Sequence, residues 1–400
     1  MPWLRLSGLF GGSYGCKNYF FPVDNGDMTL IRLADPDATS LLIDCRIRLA
    51  ADDSDNATPD VALDLRDKIQ EDSDNRPYID AMLLSHPDED HCLGLKEHFW
   101  LGSLNDYPDD NKPQDEKRIV IREIWSSPMV FRRASKNLTL CDDAKAFSKE
   151  AKRRVKVNVD SDFRVGNGDR IRILGEDQDG KTDGLEPILV KAGEEFKGVN
   201  WCAAEYLTSH VLAPISPQDE KTEEDLSKND SSVIINFKIR CSESEANISK
   251  FLTGGDAGVV IWERISDEYE LSELEYDLLL APHHCSWHTL SHDSWSEKGE
   301  SAEVSKGARD ALAQANHDAF IISSSKPIRD DSNDPPCIRA KREYLSILKT
   351  SSGLFRCTGE EPTEVNPKPL ELEATSSGFK FAVPLSAAVS VTSSSPPRAG

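Results

Sequence analysis

The 400-residue sequence lacks any run of about 18 uninterrupted apolar residues, the length that a membrane-spanning helix needs. Its first residues also lack a basic segment followed by a long apolar one, which is the pattern of a secretory signal. These two absences predict a soluble, cytoplasmic protein with no membrane span.

Paired cysteines and nucleotide-binding glycine motifs are also missing. The nine cysteines are widely spaced, odd in number and without a Cys-x-x-Cys pair, which disfavours a zinc finger or a disulfide framework and predicts reduced thiols in the core. Neither Gly11-Gly12 nor Gly254-Gly255 has the spacing of a Walker loop or a dinucleotide-binding turn. Any use of ATP would therefore need a partner protein.

Positive charge is scarce overall but concentrated in one region. Lys and Arg number 47 against 70 Asp and Glu, for a net charge of −23, which excludes a simple polycation. Residues 117–156, here called the basic strip, contain twelve basic and four acidic residues. The strip predicts either a contact for DNA or a protein partner, or the solvated face of a helix. The arginines that we consider for substrate contact are Arg132, Arg133, Arg153 and Arg154.

Short apolar segments rich in β-branched residues alternate with segments of helical periodicity along the chain. This alternation predicts an α/β protein with at least two sheets. We expect a single domain over residues 1–385, with acidic loop insertions, and a disordered Ser/Pro-rich tail over residues 386–400.

Four candidate metal ligands follow one buried strand within six residues. The apolar segment that ends at Leu84 leads into His86, Asp88, Asp90 and His91. Alternate side chains of an extended loop point the same way, so His86 and Asp88 could address one metal ion while Asp90 and His91 address another. A polar loop rich in helix-capping Asp is the alternative.

Two later segments also deliver candidate ligands from the end of a strand. Phe251 to Asp256 ends in a carboxylate beside two glycines, which allow the backbone to approach closely, and Asp256 could bridge two metal ions. An apolar strand then leads to His283 and His284, and four of the nine histidines lie between residues 283 and 292. Packed or surface histidines are the alternative interpretation.

Together these motifs resemble the metallo-β-lactamase family and, within it, the ComEC-like hydrolases named for the soluble hydrolase domain of a competence protein. The shared pattern is His-x-Asp-x-Asp-His, then Thr-Gly-Gly-Asp, then Pro-His-His-x-Ser, with further similarity at residues 23–27, 41–44, 229–233, 321–323 and 355–358. The resemblance implies a four-layer αβ/βα sandwich in which two mixed β-sheets pack face to face with helices outside.

The resemblance also implies a dinuclear site. One metal ion would take His86, Asp88 and Asp256, with its third ligand open between His210 and Asp230. The other would take Asp90, His91, Asp256 and His284. The oxygen ligand Asp88 favours Mn or a mixed Zn/Mn preference. Two ions about 3.5 to 4 Å apart would hold a bridging hydroxide and clamp the oxygens of a phosphodiester.

The resemblance further implies catalytic roles for Asp90, His91, His283 and His288. His283 would contact the phosphate or protonate the leaving oxygen. The sequence departs from the family where Cys285 replaces a glycine and where residues 334–336 lack a late histidine, for which His288 or His292 could substitute. The residues expected to contact substrate, besides the four arginines, are Asn229, Asp230, Ser232 and Ser286.

Three functions remain open at this stage. A metal-dependent DNA nuclease is favoured by the motifs and by the basic strip, and would suit one component of a multiprotein prokaryotic defence system. A hydrolase of a small phosphodiester or other ester is favoured by the net charge of −23. A catalytically silent metal-binding subunit of a larger complex is favoured by the missing late histidine.

Overall fold

The computed structural model describes residues 15–52, 56–128, 139–176, 180–215, 226–242 and 247–382. Arg132 and Arg133 lie outside the described residues, as does the tail predicted to be disordered at 386–400. In the part of the chain that is described, no helix is both long and apolar enough to cross a membrane.

Eighteen strands are present among the described residues. They are β1 Lys17–Phe20, β2 Thr29–Arg32, β3 Ser40–Ile43, β4 Gln70–Glu71, β5 Pro77–Leu83, β6 Phe99–Trp100, β7 Ile119–Ser126, β8 Arg170–Leu174, β9 Leu189–Val190, β10 Glu195–Lys197, β11 Leu207–Ala213, β12 Ile234–Arg240, β13 Ile248–Thr253, β14 Tyr276–Leu280, β15 Ala315–Ser323, β16 Leu354–Cys357, β17 Leu370–Thr375 and β18 Gly378–Phe381.

Eight α-helices among the described residues lie between the strands along the chain. They are α1 Val61–Arg66, α2 Glu89–Cys92, α3 Leu95–His98, α4 Asp142–Asp160, α5 Val259–Glu268, α6 Trp295–Lys298, α7 Lys306–Leu312 and α8 Ile338–Ser351. Residues Pro282–Cys285 form a separate single turn whose central backbone is not that of an α-helix.

The strands form two mixed sheets. Sheet A has the order β18-β17-β1-β2-β3-β5-β7-β8-β9, with β4 added beside β5 and β6 beside β7. Sheet B has the order β10-β11-β12-β13-β14-β15-β16. Each sheet contains a run of parallel neighbours, namely β3, β5, β7, β8 and β9 in sheet A and β13 to β16 in sheet B.

Buried side chains divide the molecule into four layers. One apolar cluster joins the facing surfaces of the two sheets and includes Phe20 and Trp125 from sheet A with Phe237 and Phe251 from sheet B. A second cluster packs α1 and α4 on the outer face of sheet A. A third packs α5, α7 and α8 on the outer face of sheet B. The predicted α/β sandwich with two mixed sheets and outer helices is thus confirmed.

The sheets bring their ligand-bearing loops to one shared edge. The carboxyl ends of the parallel strands β3 and β5 meet at the edge of sheet A, and those of β13 and β14 meet at the edge of sheet B. A backbone hydrogen bond of 2.9 Å from Val233 N to Ser85 O joins the two edges. Residues that follow these four strands therefore lie close together.

Candidate metal centre

Four buried side chains converge at this shared edge. Asp27, His91, Asp256 and His284 each offer a ligand atom, and the four atoms lie within 4.8 Å of one another. The carboxylate of Asp90 borders this group, with its Oδ2 atom 3.4 Å from His284 Nε2, and it is 31% exposed. Within the described residues, these carboxylates and imidazoles form a mixed Asp/His cluster suited to a divalent metal ion.

Asp27 joins the cluster through a close backbone approach. Its amide donates a 3.2 Å hydrogen bond to the carbonyl oxygen of Asp90. Gly26 makes this contact feasible, because a Cβ atom at that position would lie 2.6 Å from the same oxygen. The turn between β1 and β2 thus delivers a carboxylate to the loop after β5.

Buried polar atoms without hydrogen bonds concentrate in this cluster. They are Asp27 Oδ1, His86 Nε2, His91 Nε2, Asp256 Oδ1, and both ring nitrogens of His284. Although His91 Nε2 lies 3.1 Å from Asp256 Oδ1, the two groups are not aligned for a hydrogen bond. Leaving so many polar atoms unpaired costs free energy, and a cation among them would remove that cost. The residues therefore fit a bound metal ion.

His91 is oriented by a carboxylate behind it. Its Nδ1 atom lies 2.8 Å from Asp44 Oδ2. Asp44 is itself held by Ser85, whose amide and hydroxyl donate hydrogen bonds of 2.7 and 2.6 Å to its two oxygens. A carboxylate that accepts from one imidazole nitrogen directs the other toward a metal ion, the arrangement usual in metalloproteins.

Opposite charges compensate for burial in the cluster. Burial alone would lower the pKa of His91, but the carboxylates of Asp256 and Asp44 raise it well above its usual value. Burial likewise opposes ionisation of Asp256, yet the surrounding histidines hold its pKa well below the usual range. The pKa of His86 falls to about 3, through burial and then the positive charge of His91. These shifts favour an ionised Asp256 and a neutral His86 in the cluster.

A left-handed turn presents the paired histidines. His283, His284 and Cys285 have φ values of 51°, 53° and 67°. Non-glycine residues seldom adopt this conformation, and three in succession indicate strain maintained by the surroundings. A glycine at position 285 would carry no such strain.

The other residues predicted to hold the first metal ion divide into two groups. His86 lies at the cluster, with Nε2 3.6 Å from Asp256 Oδ2 and its side chain fully buried. Asp88 instead caps α2 and accepts a 2.5 Å hydrogen bond from Lys228 Nζ. The structure thus brings His86 to Asp256 and leaves Asp88 engaged with a lysine.

His210 is not brought to the cluster. It lies on β11, paired with Glu195 on β10, and its ring packs edge-on against Tyr269 at 5.7 Å between centroids. Asp230, the other candidate for the third ligand, accepts hydrogen bonds from Ser227 at 3.0 and 2.9 Å. The contacts of His210 thus place it on another part of sheet B, and the third ligand of the first metal ion stays open.

Two serines expected to contact substrate instead support the backbone of the centre. Ser232 is buried, donates to Asn229 O at 2.6 Å and accepts from Asp256 N at 3.0 Å. Ser286 is buried and donates to Asp334 Oδ1 at 2.7 Å. These hydrogen bonds position the loops, and neither hydroxyl faces solvent.

In the described part of the basic strip, the arginines form hydrogen bonds and ion pairs with other residues of the chain. Arg154 is 1% exposed and donates to Glu150 and to the carbonyls of Ile121 and Arg170. Arg153 binds Glu150 through two nitrogens and Asp169 through a third. Our expectation that Arg154 contacts substrate is therefore corrected: its charge ties α4 to the sheet and never reaches the surface.

His288 lies beside Asp334 and is accessible to solvent. Its side chain is 53% exposed, and Nε2 lies 3.8 Å from Asp334 Oδ2. Asp334 is in turn held by Ser286 Oγ and by Trp287 N, at 2.7 and 3.0 Å. His292, the alternative, contacts Glu263 on α5 at 3.0 Å.

Sequence reasoning assigned no role to Asp27, Asp44, Lys228 or Asp334. Asp44 directly follows β3, so the strand-end argument used for the other ligands would have identified it. Asp27 lies within residues 23–27, one of the segments with sequence similarity, but only the fold shows that its side chain joins the cluster. Lys228 contacts Asp88, and Asp334 contacts Ser286 and Trp287, through pairings between segments that are distant in the sequence.

Comparisons with known proteins add little beyond this geometry. No family model matches the chain, and no curated protein matches it. The structure is similar to that of the metallo-β-lactamase MIM-1 from Novosphingobium pentaromativorans, with 14% sequence identity and a TM-score of 0.29, over 78% of this chain and 91% of that chain. At this level of similarity, function has to be inferred from the side chains of the centre themselves.

Proposed function

We propose that this protein is a metal-dependent phosphodiester hydrolase, with DNA as its first candidate substrate. The observation that carries the proposal is the set of buried, unpaired oxygen and nitrogen atoms around Asp256. Divalent metal ions held there would polarise a phosphodiester and activate water for attack. The ligands in this proposal are Asp27, His86, Asp90, His91, Asp256 and His284. Membership in a defence system stays a prediction.

Within this proposal, the charged residues around the centre position an anionic substrate. Lys228 is 13% exposed and places its ammonium group beside Asp88 at the border of the cluster. Because the ammonium pairs with Asp88, it offsets a negative charge that would otherwise repel a phosphate at this border. Lys228 thus lowers the local repulsion of an anionic substrate in a chain whose net charge is −23.

His288 is the proposed proton donor to the leaving oxygen. It is half exposed, and Asp334 lies behind it at 3.8 Å. An accessible imidazole can deliver a proton to the alkoxide that develops on the leaving group. His288 would thereby replace the late histidine of the family.

A small phosphodiester is the second candidate substrate, and the ion pairs of the basic strip favour it. Arg118, Arg122 and Arg153 each contact an acidic side chain at 2.9 Å or less. Paired cations offer little attraction to a long polyanion. The described residues therefore supply less support for a DNA contact than the sequence count suggested.

The test is a cleavage assay with Mn, Zn or Mg ions in turn, on double-stranded DNA, single-stranded DNA and bis-p-nitrophenyl phosphate. The matched blank is Asp256→Asn, which keeps the side-chain volume but weakens the central ligand, and Asp35→Asn controls for loss of a buried carboxylate elsewhere. DNA cleavage that the blank lacks supports the nuclease. Hydrolysis of the reporter alone supports the small-diester enzyme, and no turnover with bound metal contradicts both.

A further inference from the structure

The two oxygens of Asp256 face different pairs of histidines. Oδ1 lies 3.1 Å from His91 Nε2 and 3.4 Å from His284 Nε2. Oδ2 lies 3.6 Å from both His86 Nε2 and His283 Nε2. From this division we infer that His283 is a ligand of the metal ion on the Oδ2 side, the missing third ligand of the first metal, and is not a free proton donor. The inference rests on the proposed metal-dependent hydrolase.

The backbone of the turn makes this division between adjacent residues feasible. The amide of His283 donates a 2.9 Å hydrogen bond to Gly255 O, which fixes the turn beside Asp256. The rings of His283 and His284 are 5.9 Å apart and inclined at 77°. Because the rings are nearly perpendicular, the two imidazoles can approach opposite oxygens of one carboxylate. The strained φ values of both residues are the structural cost of this arrangement.

The direction of the His283 ring distinguishes a ligand from a free acid. Its side chain is 20% exposed, and Nε2 is directed toward a carboxylate that is 2% exposed. An acid that protonates a leaving group has to present its nitrogen to the substrate. His288, at 53% exposed, meets that requirement better.

The donors on the two sides of Asp256 differ in number. The Oδ1 side includes His91 and His284, with Asp27 and Asp90 adjacent to His284. The Oδ2 side includes His86 and His283, while Asp88 is engaged by Lys228. Three protein ligands with an open position are typical of a catalytic metal ion, whereas a fuller set is typical of a closed site. Substrate would accordingly meet the ion on the Oδ2 side.

The test is metal stoichiometry, measured by elemental analysis and by calorimetric titration with Mn and Zn ions. We expect two ions per chain for the wild type, one for His283→Ala and two for the control His292→Ala, whose side chain contacts Glu263 outside the centre. Two ions bound by His283→Ala with unchanged affinity would overturn the inference. One ion in both the wild type and His283→Ala would also overturn it while leaving a mononuclear hydrolase intact.

Failure of the proposed function is distinguishable, because a wild type that binds no ion contradicts the hydrolase itself. If His283→Ala does not fold, His283→Asn is the second variant, since asparagine tolerates a positive φ. A measurement on the wild type avoids substitution altogether. Metal loading should protect His283 from diethyl pyrocarbonate and leave the more exposed His288 reactive. Equal reactivity of His283 with and without metal would overturn the inference.

Discussion

His91 and Asp44 form a 2.8 Å contact behind the metal centre, between the helix after β5 and the residue after β3. The contact leaves Nε2 of His91 facing Asp256. A fully buried imidazole is thereby held in the orientation that metal binding requires.

Asp44→Asn should weaken metal binding without removing a ligand. We expect an affinity about 10- to 100-fold lower, because the amide no longer fixes the His91 ring as a carboxylate does. Calorimetric titration with Zn ions measures the change. The matched control is Asp35→Asn, since Asp35 is also buried but bonds locally to Thr39. Affinity equal to that of the wild type would contradict the role assigned to Asp44.

Metal removal should lower stability. The unpaired buried atoms around Asp256 are a cost that a bound cation removes, so Mn or Zn should stabilise the fold relative to a chelator. At an ion concentration a hundred times the Kd, the expected gain is about 2.7 kcal/mol. Thermal unfolding with and without metal measures it. Asp256→Asn should show a much smaller shift, and an equal shift in that variant would place the metal elsewhere.

Arg154→Met should destabilise the fold strongly, because Arg154 is buried and makes contacts inside the protein. Its loss leaves Glu150 short of a buried partner and frees the carbonyls that it caps, which costs roughly 3–5 kcal/mol. Urea denaturation provides the measurement. Lys152→Met, an exposed change on the same helix, should alter the free energy of unfolding by less than about 0.5 kcal/mol. Equal effects in the two variants would refute the buried role.

Cys141 should be the most reactive thiol near neutral pH. A hydrogen bond from Cys92, at 3.5 Å between the sulfur atoms, lowers the pKa of Cys141 to about 7. The thiolate is the nucleophile, so alkylation of Cys141 should rise as the pH passes about 7. Cys202 is exposed, but partial desolvation of its thiol raises its pKa, so this cysteine should react only at higher pH. Iodoacetamide labelling followed by mass spectrometry resolves the two sites. In Cys92→Ala the profile of Cys141 should move to higher pH, and an unchanged profile would contradict the interaction.

The strand-end ligands could be predicted because their signal is local. His86, Asp256 and His284 each follow an apolar strand within a few residues, and such a pattern depends only on the sequence nearby. The same holds for helix α4, whose apolar positions recur at helical spacing. Strand β11 has a weaker local signal, because its polar residues Thr208 and Ser209 interrupt the apolar pattern.

Contacts between distant segments could not be predicted in this way. The loop with Asp27 meets the loop with Asp90 only because the hairpin β1–β2 packs beside β3 and β5. The burial of Arg154 depends on how α4 lies across β7 and β8, since the carbonyls that it caps belong to those strands. The number of charged residues along the chain does not show which of them are paired inside the fold.

By itself, the sequence determined the fold class, with its two mixed sheets and outer helices, and the loops from which a metal centre could be built, because hydrophobic periodicity and residue type are local properties. The tertiary structure alone decided which atoms meet. It placed Asp27 and Asp44 at the centre, assigned two histidines to each oxygen of Asp256, and left His210 on another part of sheet B. Those outcomes depend on the packing of two sheets against each other, which fixes side-chain directions that no single segment encodes.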